Sequence, residues 1–134
     1  MARKLRIVVP GRWYHVLNRG NRREAIFRSD TDRQRFLGRL AELPERFRTE
    51  IHAFVLMDNH YHLLLRTQDA NLSDAIRWLQ VSYSSVFNWT HRLRGHLFQG
   101  RFRSLLIEDH KGAVEVARYL HLNPVRVRRL GLGK

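Results

Sequence analysis

The largely apolar run Trp13–Asn18 (WYHVLN) is rich in aromatic and β-branched residues and predicts a first strand. Pro10-Gly11 before it is a turn signal, and Gly20-Asn21 after it is a break. The period then changes to that of a helix. Phe36, Leu37, Leu40 and Leu43 fall on one stripe, with Asp30 or Thr31 as the cap and Pro44 as the stop or kink. Ile51–Met57 (IHAFVLM) predicts a second strand. Asp58-Asn59 predicts a tight turn, since both residues tolerate left-handed backbone, and His60–Arg66 (HYHLLLR) predicts the returning strand. Asn71 or Ser73 caps a long helix to about Arg92, whose Leu72, Ile76, Leu79, Tyr83, Val86 and Phe87 share a face; Gly95 lies just beyond it. Phe102–Glu108 reads as a fourth strand. Asp109 caps a last helix to about Leu122 with the apolar stripe Ala113, Val116, Ala117 and Leu120, ended by Asn123-Pro124. The order β-α-β-β-α-β-α predicts an α+β fold, a small antiparallel sheet of about four strands with helices packed against it.

Composition narrows the function classes. The 134 residues suit a single domain, 1–134, and 43% hydrophobic residues are enough for a core. With no cysteine, neither a disulfide framework nor a cysteine-ligated zinc site can form. No stretch approaches the roughly 18 apolar residues of a membrane span. Met1–Arg6 has basic residues with no long apolar segment behind them, so no signal peptide is expected and the expected location is the cytoplasm.

The charge is +13, from 25 Lys+Arg against 12 Asp+Glu, and 22 of the 25 are arginine. A GC-rich genome explains an arginine preference by codon usage; it does not explain the excess of positive charge. Arginine presents a planar fork that grips phosphate in two places and stacks on bases. The arginines are dispersed along the chain, as on a folded face that tracks a polyanionic backbone. A membrane-surface protein would concentrate them on one amphipathic helix. Nucleic acid is the expected partner and a membrane is not.

The most informative triplet is His60-Tyr61-His62. Side chains on a strand alternate between faces, so His60 and His62 project together while Tyr61, Leu63 and Leu65 point the other way into the core. Two imidazoles at this spacing can chelate one cation, with a preference of their own for transition metals over magnesium; the triplet also arises by chance. On the last helix Tyr119 and Asn123 are four residues apart and share a face. Taken singly, Tyr119 reads first as an aromatic at the edge of the core, and Asn123-Pro124 reads first as helix punctuation.

Four segments, taken together and in this order, carry a resemblance. They are Pro10–Val16 (PGRWYHV) followed by Arg19-Gly20-Asn21, Leu56–Leu65 (LMDNHYHLLL), Gly95–Phe102 (GHLFQGRF) and Tyr119–Arg126 (YLHLNPVR). The chain resembles the single-tyrosine HUH transposases, named for His–hydrophobic–His, and within them the REP-associated tyrosine transposases. The resemblance implies a ferredoxin- or RRM-like HUH fold. It implies that His60, His62 and Asn123 bind a divalent metal, Mg²⁺ or Mn²⁺, and that Tyr119 is the nucleophile, so that Tyr119, His60 and His62 carry the chemistry. A phenol, with a pKa of about 10, is a poor nucleophile at neutral pH, and a metal on the scissile phosphate withdraws charge and orients the attack. The implied products are a 5′-phosphotyrosine and a free 3′-hydroxyl on hairpin-bearing single-stranded DNA, with no nucleotide cofactor. Asp58 stands where many relatives have proline, a change in the turn. The chain also ends eleven residues after Asn123, where many relatives carry a further tail; that bears on target choice more than on catalysis.

Other residues are weighed against this set. Tyr83 is a competing nucleophile but sits on the apolar face of its helix and is read as core. His15 is read as packing against a neighbouring strand, with a place beside the metal as the alternative; Asp109 as a cap before a metal neighbour; and Glu115 as a solvated surface residue before an aid to proton transfer. The phosphate-contact candidates are Arg19, Arg22, Arg23, Arg101 and Arg103; Gly95–Arg103 interleaves Gly, Phe and Arg as a strand-binding surface does, with a structural hairpin as the equal alternative. Trp78 and Trp89 are read as packing residues, with base stacking as the alternative. Two rival functions stand beside the transposase: a non-catalytic, domesticated nucleic-acid binder with a structural His pair, and a basic RNA- or ribosome-associated protein. Relatives act as monomers or as homodimers, and both states are open for this chain.

Overall fold

The computed structural model describes residues 9–121. Tyr119 is among them. Asn123, Pro124 and the arginines at 126, 128 and 129 lie outside the described residues. The elements run β1 (Trp13–Arg19), α1 (Asp30–Leu40), α2 (Leu43–Phe47), β2 (Thr49–Leu56), β3 (His60–Thr67), α3 (Leu72–His91), β4 (Arg103–Ile107) and α4 (His110–His121). The strands form one antiparallel sheet in the order β2-β3-β1-β4. The expected α+β architecture is the one observed, with one addition. The first helix stops at Leu40, and Pro44 lies in the first turn of the separate short helix α2. A proline in a first turn loses no helical hydrogen bond, because that N–H has no intrahelical partner in any case.

Alternation along the strands sorts the sheet into two faces. Tyr14, Val16, Leu56, Tyr61, Leu63 and Leu65 meet Phe36 and Leu40 of α1 and Ile76, Leu79, Tyr83 and Phe87 of α3 in the larger core. On the other face Ala53, Val55, Leu64 and Ile107 are covered by Ala113 and Leu120 of α4, with Val116 and Ala117 packed alongside. The predicted apolar stripe of α4 is therefore the stripe that docks. His52 sits at a β-bulge where the pairing shifts between Ile51 and Ala53. A bulge changes the parity of a strand, which lets Ile51 and Ala53 serve different cores; the His52 ring rests 4.0 Å from that of Trp13.

The caps are partly as expected. Asp109 Oδ1 accepts from the Gly112 backbone N–H at 2.7 Å and starts α4. At α1 the cap is Ser29, whose Oγ accepts from Asp32 N, and not Asp30 or Thr31. Asp32 instead turns inward, where its carboxylate accepts from the Arg28 N–H at 2.9 Å and holds His91 of α3 at 2.8 Å.

Candidate functional site

The turn from β2 to β3 delivers His60, and it is tied down from several sides. The carbonyl of Asp58 accepts from Ile26 N and Phe27 N at 2.8 and 3.1 Å, and that of Asn59 accepts from Gly20 N at 2.8 Å. Arg33 Nη2 of α1 reaches Asp58 Oδ1 at 2.6 Å. Gly20 is required here for space. A Cβ at this position would lie 2.0 Å from the backbone oxygen of Glu24.

His60 and His62 project from β3 onto the α4 side of the sheet, away from Tyr61, Leu63 and Leu65, as alternation requires. Their ring centroids are 5.2 Å apart and their planes nearly perpendicular. Each ring has its Nδ1 engaged by a neighbour. His60 Nδ1 lies 2.8 Å from Asn59 Oδ1; an amide oxygen only accepts, so Nδ1 carries the proton and Nε2 presents a lone pair. His62 Nδ1 lies 3.0 Å from Nε2 of His15. The register places His15 opposite Leu64 and His62 opposite Leu17, so the two rings meet across a sheet diagonal. Burial pushes the His15 pKa down, which keeps that ring neutral and able to accept. Outer hydrogen bonds of this kind orient the ring of a metal-ligating histidine. A divalent cation held by this pair would be met through the two Nε2 atoms. No group of three His, Cys, Asp or Glu side chains suited to a metal occurs among the described residues, and the third candidate ligand, Asn123, lies outside them.

One groove holds His60, and a second on the same face holds His15. The first, of about 580 Å³, is lined by His60 with Arg19, Gln99, Arg101 and Arg103. The pairing Arg19↔His60 sets the first of these arginines directly beside the imidazole, and Arg19 Nε donates to Gln99 Oε1. The other, of about 450 Å³, is lined by Tyr119, His15, Glu108, Gly112, Glu115 and Val116. Tyr119 is 60% exposed there. Tyr119 thus lies over the same sheet face as the histidines, in a groove lined by His15, the residue bonded to His62.

The other candidates separate cleanly. Arg22 and Arg23 are exposed on a 3₁₀ turn at Asn21–Arg23, outside the His60 groove. Tyr83 is 1% exposed with its hydroxyl donating to the Ile26 carbonyl, so it is core as expected. Trp78 packs against Phe47 under Arg46. Trp89, expected to pack, is 83% exposed. Two further residues line or support the site. His15 packs against the adjacent strand as expected, and its contact there is a candidate ligand, the alternative also weighed; Asn59 orients His60 besides making the turn. Alternation marked the face of His15; which strand lay beside it was not legible.

The family model for IS200-like transposases matches residues 8–123. The chain belongs to the IS200-like transposase family. Among solved structures, this transposase is similar to a REP-associated tyrosine transposase bound to a REP hairpin, with a TM-score of 0.70, 23% identity, and coverage of 93% of this chain and 73% of that one. It is also similar to a proposed transposase of Deinococcus radiodurans, with a TM-score of 0.60, 18% identity, and coverage of 88% and 95%. At these identities the likeness is one of fold. No curated protein sequence matches the transposase. No helix among its described residues is long and apolar enough to cross a membrane.

Proposed function

We propose that this transposase is a metal-dependent single-strand DNA endonuclease and strand transferase. It acts in the cytoplasm on hairpin-bearing DNA, as one catalytic unit spanning 1–134, through a covalent 5′-phosphotyrosine on Tyr119. The observation that supports this most is the pair His60 and His62. Both rings are held at Nδ1 by a neighbour, beside a groove of three arginines and on the sheet face that carries the groove of Tyr119. The similarity to a transposase bound to a REP hairpin supports hairpin DNA as the substrate class.

His60, His62 and Asn123 would hold Mg²⁺ or Mn²⁺, which supplies Lewis-acid polarisation of the scissile phosphate. Arg19, Arg101 and Arg103 bind and orient the strand through its phosphates, which places the scissile bond over the sheet face. The Tyr119 oxygen bonds to phosphorus as the bond to the 3′-oxygen breaks, and the phenolic proton passes through solvent to that departing oxygen. Phosphodiester energy is conserved in the tyrosine link, so rejoining needs no nucleotide cofactor. Exposure of Tyr119 suits attack on a bound strand.

The test is incubation with labelled hairpin oligonucleotides and Mn²⁺, followed by a denaturing gel. A covalent band with the unmodified chain, absent in Tyr119→Phe while DNA binding persists, is expected. Loss of the band in Tyr83→Phe and its persistence in Tyr119→Phe would sink the assignment. Binding with no adduct across several hairpins would favour the domesticated, non-catalytic binder.

A further inference from the structure

Arg33 on α1 is a buried cation whose presence stability does not explain. Its side chain is 9% exposed, its guanidinium carbon lies 5.6 Å from the ring centroid of Phe27, and its Nε is buried with no hydrogen-bond partner. A buried guanidinium carries a desolvation cost, and a well-packed apolar side chain of similar volume is often as stable there or more so. An arginine with an orphan N–H in such a place calls for another reason. Its two remaining nitrogens supply one. Nη1 reaches Asp30 Oδ1 at 3.4 Å within α1, and Nη2 reaches Asp58 Oδ1 at 2.6 Å in the turn between β2 and β3.

The backbone bonds already described tie this turn to Gly20, Ile26 and Phe27, which lie in the connecting segment between β1 and α1. Arg23 of the same segment adds its carbonyl, which accepts from Asn59 Nδ2 at 3.2 Å. Arg22 and Arg23 both stand at positive φ, 57° and 60°, a conformation uncommon for residues other than glycine. Arg33 attaches the turn to a different element, a helix whose Phe36 and Leu40 stand in the larger core. One attachment is to the carbonyl of Asp58 and the other to its carboxylate, so together they fix the tilt of the turn as well as its position. The tilt aims the Asn59 amide. With Asn59 Nδ2 turned to Arg23, Oδ1 is the atom that meets His60 Nδ1, at 2.8 Å.

We propose that Arg33, acting through Asp58, is a positioning residue for His60. It holds the turn at the tilt in which Asn59 Oδ1 keeps the His60 proton on Nδ1 and leaves the lone pair on Nε2. Arg33 lines neither the His60 groove nor that of Tyr119, so its effect passes through the turn. The inference rests on the reading of His60 as a metal ligand and deepens it by naming what sets the ring of that ligand. A charged pair suits this task better than an apolar contact, because a short charge-assisted bond is directional and hydrophobic packing is not.

The deciding experiment uses the full chain without metal or DNA, at mildly alkaline pH where imidazole is neutral. Ring ¹⁵N shifts in a long-range ¹H–¹⁵N spectrum report which nitrogen of His60 carries the proton, a quantity that lost stability alone does not move. The unmodified chain should show a single Nδ1–H tautomer at His60. Arg33→Met keeps length and burial without charge, and should give a mixture of the two tautomers. Its Mn²⁺ affinity by calorimetry should fall about tenfold, the lower end of the cost of losing an outer partner, with hairpin binding in EDTA unchanged. Asp58→Ala should match it, and Asp58→Asn, which keeps an acceptor oxygen, should fall between that variant and the unmodified chain. A single Nδ1–H tautomer in Arg33→Met, shown to be folded by its urea transition, overturns the proposal. So does a loss of hairpin binding with the His60 tautomer unchanged, which would give Arg33 to the strand. If Arg33→Met fails to fold, Asp58→Ala decides by the same tautomer readout, since the Asp58 side chain is 60% exposed. Tautomer mixing in the variants with no Mn²⁺ bound by any of the proteins supports the positioning and loses the metal reading.

Discussion

Nε2 of His15 lies 3.0 Å from Nδ1 of His62, across the diagonal between β1 and β3. With Nδ1 of His62 in this bond, Nε2 is the atom that would meet the proposed cation. His15→Phe keeps an aromatic ring and removes the acceptor. We expect it to weaken Mn²⁺ binding by roughly 10–100-fold, measured by calorimetry, with little change in melting temperature. His15→Gln, which restores an acceptor, should recover part of the affinity. Equal Mn²⁺ affinity in all three proteins would show that His15 only packs.

Tyr83 and Tyr119 should separate stability from chemistry. Tyr83→Phe leaves the buried Ile26 carbonyl without its donor and should cost about 1–3 kcal/mol of unfolding free energy, with the covalent adduct retained. Burial, reinforced by the nearby Asp32 carboxylate, raises the Tyr83 pKa. The unfolded chain releases this proton above about pH 10 while the folded chain holds it. The folded state is therefore favoured below that pH and loses stability as pH rises above it. Denaturant titrations at neutral and strongly alkaline pH should show that loss reduced in Tyr83→Phe.

Gly20→Ala tests the anchoring of the turn that delivers His60. The added methyl meets backbone oxygen at 2.0 Å, which no rotamer change relieves. Overpacking in a fixed environment costs about 1–3 kcal/mol or more, so the urea midpoint should fall accordingly. A midpoint within error of the unmodified chain would mean that the segment between β1 and α1 yields easily.

Arg19, Arg101 and Arg103 line the His60 groove; Arg22 and Arg23 do not. Each phosphate contact on a single strand contributes about −0.7 to the slope of log K against log salt. Alanine at any of the first three should reduce that slope by about this amount, as read by fluorescence anisotropy from low to moderate salt. Arg22→Ala and Arg23→Ala should change it less. The reverse ranking would move the strand path off the sheet face and onto the 3₁₀ turn.

Much of this architecture was legible before any coordinates. Alternation in HYHLLLR separated the two imidazoles from Tyr61, Leu63 and Leu65, and the 3.6-residue period of α3 put Tyr83 in the core; both hold in the fold. Local rules sufficed because burial acts on one element at a time. They fell short where two elements compete for one residue. Asp30 and Thr31 looked like caps for α1, yet Ser29 caps it, and Asp32 is taken by His91 from a helix some sixty positions later. Trp89 is exposed on the outward side of α3 with Val81 and Ser85, while Phe87 and His91 on either side of it pack inward; it lies off the buried stripe.

The sequence by itself determined the strand and helix order, the facing of His60 and His62, the docking stripe of α4 and the polyanion-seeking charge, because each follows from spacing along one segment. The tertiary structure alone decided that His15 reaches His62, that Tyr119 occupies the groove lined by His15, and that Arg33 reaches Asp58 in the turn before His60. Those relationships join residues about 20 to 60 positions apart or more. They depend on sheet order and register, which are set by the collective packing of both faces and not by any one stretch of chain.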